Sequence, residues 1–130
     1  MNVKDFVTGI QHIGIPTNDS EETVKFFKSL GFVETYSTDN HGEKVVFLQQ
    51  KNIVIETYQN GKAVGHPGAI EHMALDVTDI EAAYDAVRKL GYTALEGSIQ
   101  SLPFWEHGVR YFTIAGPDGE KVEFNQILSA

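Results

Sequence analysis

The sequence contains itself twice, and that repeat constrains its fold more than any other feature. Residues 10–35 lie over residues 70–95 at a shift of 60 without a gap. Ile10 falls on Ile70, His12 on His72, Asp19 on Asp79, Glu21 on Glu81, Leu30-Gly31 on Leu90-Gly91 and Phe32 on Tyr92. The second part of each copy matches at a shift of 67, with Glu56-Thr57-Tyr58-Gln59 over Glu123-Phe124-Asn125-Gln126. The difference between the two shifts, 67 − 60 = 7 residues, is placed in the stretch Gly97–Gly108. Whatever the first copy forms, the second is expected to form again.

Each copy reads as strand, helix, strand, strand, strand. Ile10–Pro16 and Ile70–Val77 are short and rich in apolar or β-branched residues, which suits strands. Asn18 with Glu21, and Thr78 with Glu81, have the three-residue spacing of a capping box. Ile80, Ala83, Tyr84 and Val87 then make the i, i+3, i+4, i+7 stripe of a buried helix face, and Val24, Phe27 and Leu30 a looser one. Both helices stop at glycine, Gly31 and Gly91, where a left-handed residue suits the chain. The remaining expected strands are Phe32–Thr38, Lys44–Gln49 and Asn52–Tyr58 in copy one. In copy two they are Tyr92–Glu96, Val109–Ala115 and Glu120–Gln126, with Gly116-Pro117-Asp118-Gly119 as a tight turn. The expected fold is α+β: two tandem βαβββ modules, about 9–60 and 69–128, forming a curved mixed sheet around a cleft in a single domain of 130 residues.

Strand alternation says where side chains point. Ile53, Ile55 and Thr57 share one face, and Val54, Glu56 and Tyr58 the other; Val122 and Phe124 oppose Lys121, Glu123 and Asn125. The apolar sets belong under the helices, so Glu56 and Glu123 face away from them. The same parity sends His12 and His72 away from the helices. One histidine and one glutamate per copy, at matched positions, make His12, Glu56, His72 and Glu123 the candidate ligands of one divalent metal. Two imidazole nitrogens and two carboxylate oxygens suit nickel, zinc, cobalt, manganese or iron(II) better than calcium or magnesium. Four protein ligands leave positions open on a metal that accepts six, as catalysis needs.

Composition narrows the partners. A net charge of −8 with only two arginines, Arg88 and Arg110, argues against nucleic acid. No basic amphipathic stretch suggests a membrane surface. No apolar run approaches the roughly 18 residues of a membrane span. Absence of cysteine removes disulfides, thiolate ligands and a cysteine nucleophile, and is compatible with a cytoplasmic protein.

The openings "IQHIGIPTND" and "IEHMALDVTDIEAA", the strand "NIVIETYQ" and the closing "YFTIAGPDGEKVEFNQ" resemble the vicinal oxygen chelate superfamily over about residues 9–128. That superfamily includes glyoxalase I, bleomycin-resistance proteins and extradiol dioxygenases. The resemblance implies metal ligands on the first and last strands of each module, which here are His12, Glu56, His72 and Glu123, and a homodimer. Two histidines with two glutamates are most similar to glyoxalase I. The implied activity is that of a lyase or isomerase acting on a small substrate chelated through adjacent oxygens, with nickel or zinc favoured. A glutamate removes a carbon proton and returns it to the neighbouring carbon, Glu123 being the first choice of base and Glu56 the second. The same resemblance offers as alternatives a methylmalonyl-CoA epimerase-like enzyme, a thiol transferase, or a non-catalytic binder of a small antibiotic.

One departure bears on the substrate. Glyoxalase I enzymes typically carry an arginine for glutathione in the strand after the first helix, and Phe32-Val33-Glu34-Thr35-Tyr36 has none. The remaining candidates for substrate contact are Tyr58 and Asn125 on the ligands' face, Arg110, and Trp105 in the loop Gly97–Gly108, placed there as a lid.

Overall fold

The computed structural model describes residues 2–130. Two compact units, Met1–Ala63 and Val64–Ala130, divide the chain within the expected link between the copies. Each is a βαβββ module, as the repeat requires.

In the first unit a 3-10 turn at Val3–Asp5 precedes β1 (Ile13–Thr17), α1 (Ser20–Ser29), β2 (Val33–Asn40), β3 (Glu43–Gln50) and β4 (Ile53–Gln59). Its sheet runs β1-β4-β3-β2, with β1 parallel to β4 and the other pairs antiparallel. The parallel pair is possible because α1 carries the chain back across the sheet. Phe26 and Phe27 of α1, with Phe32 just beyond it, bury against Val46, Leu48 and Ile55 of the sheet. Their rings meet edge to face at 5.0 and 5.4 Å.

The second unit repeats this with β5 (His72–Asp76), α2 (Ile80–Lys89), β6 (Gln100–Leu102), β7 (Val109–Ala115) and β8 (Lys121–Ile127), in the order β5-β8-β7-β6. Phe112 stacks on Phe124 at 4.9 Å, and Tyr84 of α2 meets Phe112 edge-on. The turn closes with Gly119 donating to the Gly116 carbonyl at 3.1 Å.

Two local expectations are corrected. The N-caps are Asp19 and Asp79, one residue beyond Asn18 and Thr78; their carboxylates accept from the Glu22 and Ala82 amides at 3.3 and 3.1 Å. Asn18 instead accepts the Ala63 amide at 3.1 Å. Tyr92–Glu96 is not a strand. Leu95 donates once to the Thr113 carbonyl, but the Glu96 carboxylate takes both the Thr113 amide (2.8 Å) and its hydroxyl (2.7 Å). A side chain thus occupies the donor that a neighbouring strand would use, and pairing resumes only at β6, inside the inserted stretch.

A glutamine repeats the link between sheet and helix in each module. Gln59 accepts from the Ser20 amide at 2.8 Å and Gln126 from the Ile80 amide at 2.9 Å. Each satisfies an N–H of the first helical turn that has no partner within the helix. This ties the last strand, with the glutamate three residues earlier, to the helix start.

Candidate metal-binding faces

Register and parity place the predicted residues. In the first unit Gly14 pairs with Glu56 across the parallel ladder, and Phe47 lies opposite Glu56 across the antiparallel one. Glu56 therefore projects from the face opposite α1, with His12 just before β1 brought over it. His12 Nε2 stands 3.5 Å from Glu56 Oε1. The His12 ring also meets the edge of Phe47 at 5.7 Å.

The second unit repeats the pair. His72 Nε2 stands 3.5 Å from Glu123 Oε1, and Thr113 lies opposite Glu123 in the ladder. Glu123 is the more enclosed carboxylate, its side chain 14% exposed against 26% for Glu56. Its other oxygen accepts from Asn125 Nδ2 at 2.9 Å. Asn125, expected to line a substrate pocket, thus holds a carboxylate in place.

The donor pairs fit a divalent metal. A direct charge-assisted N–H···O bond would be shorter, about 2.7–2.9 Å. Adjacent nitrogen and oxygen ligands at about 2.0–2.2 Å from one ion lie about 2.9–3.4 Å apart, close to the separation seen. Each unit supplies two such ligands. Among the described residues, no group of three or more His, Asp or Glu side chains could hold an ion.

The other predicted residues fall apart from this pair. Arg110 pairs with Gln126 in the ladder and shares its parity with Phe112 and Ile114, so it lies on the α2 side of the sheet. Its guanidinium bonds Glu81 at 3.2 Å, which takes it off the face of Glu123. Arg88 likewise sits over the Tyr84 ring at 5.4 Å. Tyr58 does share the face of Glu56, and both approach Gly14: a Cβ there would meet Tyr58 Cε1 at 3.4 Å and Glu56 Oε1 at 3.7 Å.

Trp105 is 74% exposed with φ of 60°, an unusual conformation for a bulky residue. It borders an open cavity of about 510 Å³ with Leu102, Pro103, His107 and Leu128. That cavity adjoins Val109, four residues along β7 from Thr113, or roughly 13 Å from the level of Glu123.

Parity also identifies Phe47, Tyr111 and Thr113 as neighbours on the two faces, since they stand opposite Glu56, Asn125 and Glu123. The residues just before the histidines complete the set. Gln11 Oε1 lies 2.9 Å from His12 Nδ1, and Glu71 Oε1 lies 2.8 Å from His72 Nδ1. Lys121 bonds the other oxygen of Glu71. Lys121 and then His72 hold the Glu71 carboxyl below the usual carboxylate range. The position before the histidine is polar in both copies.

Known proteins agree with this architecture. An uncharacterized Bacillus subtilis (strain 168) protein, YwbC, is 30% identical over 124 residues, covering 90% of this chain and 96% of its own. Among solved structures, a glyoxalase family protein from Enterococcus faecalis superposes with a TM-score of 0.77 at 20% identity, covering 92% of this chain and 98% of that one. The fosfomycin resistance protein FosX of Listeria monocytogenes, in complex with Mn(II) and sulfate, superposes with a TM-score of 0.71 at 16% identity, covering 95% of each chain. The model of the Glyoxalase/Bleomycin resistance protein/Dioxygenase superfamily matches residues 9–124. With that match over two modules of the predicted form, the chain belongs to this superfamily.

Proposed function

We propose that this protein is a divalent-metal-dependent lyase or isomerase of glyoxalase I type. It moves a proton between adjacent carbons of a small substrate bound through two neighbouring oxygens. One observation carries the reading: a His–Glu pair at 3.5 Å recurs at equivalent positions on the helix-free face of both modules. His12, Glu56, His72 and Glu123 would hold the ion, nickel or zinc in preference to cobalt, manganese or iron(II). Each unit carries half of this set, and the protein is proposed to act as a homodimer. The ion, when bound, would polarise the substrate's adjacent oxygens as a Lewis acid.

Glu123 is the proposed base. Asn125 fixes one of its oxygens, and an oriented carboxylate at the reacting carbon contributes about 10²–10⁴-fold. Glu56, beside Phe47 and with more exposure, is the second choice. Tyr58 flanks the substrate on the Glu56 face.

Metal analysis of the purified protein and calorimetric titration with nickel and zinc test the site, with His72→Ala as the control. Undiminished stoichiometry and affinity in that variant would remove the proposal. A hydroxamate should bind only the metal-loaded protein. Metal binding without any hydroxamate response would point to a closed, non-catalytic site.

A further inference from the structure

We propose that Glu71 and Gln11 are positioning residues that fix the tautomers of His72 and His12, turning an unprotonated Nε2 toward the ion in each half-site. The inference rests on the metal-site reading above and assigns roles to two residues outside the ligand set.

The second unit carries the fuller set of contacts. An ionised carboxylate can only accept a hydrogen bond, so the 2.8 Å contact with Glu71 places the imidazole hydrogen on His72 Nδ1. In the neutral ring Nε2 then carries a lone pair, and that nitrogen is the one 3.5 Å from Glu123. Two electron-pair donors face each other with no proton between them, an arrangement that a bound cation relieves. Glu71 is itself held from behind by Lys121, which pairs with His72 in the β5–β8 ladder. A continuous chain therefore runs Lys121–Glu71–His72–Glu123–Asn125 across two adjacent strands.

The first unit carries a neutral version of the same device. Gln11 takes the place of Glu71, with its amide oxygen 2.9 Å from His12 Nδ1. The position matching Lys121 at the shift of 67 is Val54, so the cation disappears together with the anion it would hold. This paired change keeps the hydrogen-bond geometry and alters only the charge behind the imidazole. An anionic acceptor makes the ring a stronger donor to a metal than an amide oxygen does. His72 thus belongs to the tighter half-site and His12 to the weaker one.

Long-range proton–nitrogen NMR of the apo protein at alkaline pH reads each tautomer directly, without metal and without activity. The expected result is a predominantly Nδ1–H form for both His12 and His72. Glu71→Ala should shift His72 toward the Nε2–H form and weaken nickel affinity by about 10- to 100-fold. Glu71→Gln, which copies the first module, should keep the tautomer and recover most of that loss.

An unchanged His72 tautomer in Glu71→Ala would overturn the proposal, and so would a mixed tautomer in the unsubstituted protein. Failure of the metal reading would show separately, as absence of nickel binding by a protein whose tautomers are as expected.

Discussion

Asn125 donates its amide to Glu123 over 2.9 Å, and this one contact decides how the proposed base is held. In the first module the residue at the same place after the glutamate is Tyr58. The two carboxylates therefore occupy matched positions with unmatched support. Asn125→Leu should free Glu123 while keeping side-chain bulk. A hydrogen bond to a charged group is worth about 1.5–3 kcal/mol, so nickel affinity should fall roughly ten- to a hundredfold. Calorimetry checks this, and unchanged affinity would remove Asn125 from the support of the site.

The assembly of the halves can be read from mixed subunits. A chain carrying His12→Ala and Glu56→Ala lacks the first pair, and one carrying His72→Ala and Glu123→Ala lacks the second. Neither homodimer should bind nickel tightly. If the site forms across the dimer, the mixed dimer should regain one full site of its two, seen as recovered stoichiometry in the tagged, purified heterodimer. No recovery would place both pairs of each site in the same chain.

Much of this was legible in the sequence because the fold is written twice. His12 and His72 could be placed opposite the helices by the period of two, and the repeat supplied a check that no single strand offers. The two misread local elements share a cause: side-chain hydrogen bonds override local pattern. Asn18 and Asp19 are both good caps, and spacing favoured the first, but Asn18 is drawn to the Ala63 amide. Tyr92–Glu96 has strand composition, yet Glu96 uses its carboxylate to close the sheet edge at Thr113. Arg110 could have been placed correctly, since it keeps step with Phe112 and Ile114 along β7. Its pairing with Glu81 follows from that parity. Gln11 and Glu71 were out of reach, because their role depends on a contact between adjacent side chains that no period encodes.

The turn at the head of β8 sets a limit on substitution. Gly119 has φ of 86°, and a Cβ there would overlap the backbone of Gly65 and His66. Gly119→Ala therefore meets both a left-handed backbone and a clash with main chain that cannot rotate away. The expected loss is about 1–3 kcal/mol, or a fall in Tm of roughly 3–10 °C for a chain of this size. Calorimetric melting checks it, and an unchanged Tm would mean that the segment 65–66 is free to move aside.

Glu120, next in the chain, makes stability depend on pH. Partial burial pushes its carboxyl up from 4.5 to about 7, against the opposing hydrogen bond from the Asp118 amide. Its Oε2 is buried with no hydrogen-bond partner. Because the folded value is raised, the contribution to stability is complete below pH 4.5 and is lost as pH rises through 7. Glu120→Gln keeps an oxygen for the Asp118 amide and removes the charge. After allowing for partial solvent screening, it should stabilise the protein by about 1–3 kcal/mol at pH 8 and leave stability at pH 4 nearly unchanged. Urea unfolding at the two pH values tests this, and equal effects at both would separate Glu120 from the pH dependence.

A glutathione adduct brings carboxylates that need cationic partners. The strand after α1, Val33–Asn40, contains no arginine or lysine. The chain's two arginines are engaged on α2: Arg88 lies over Tyr84, and Arg110 pairs with Glu81 on the face opposite Glu123. Recruiting Arg110 would require breaking that pair and crossing the sheet. An enclosed carboxylate without its partner forgoes a charge-assisted bond of about 1.5–3 kcal/mol. The glutathione–methylglyoxal adduct should therefore turn over poorly, and a smaller two-oxygen substrate lacking those carboxylates should do better. Steady-state assays on nickel- and zinc-loaded protein decide the matter. A kcat/KM for the adduct of roughly 10⁶ M⁻¹s⁻¹ or above, within the range of efficient enzymes, would show that other groups anchor glutathione. It would also make the missing arginine irrelevant to substrate choice.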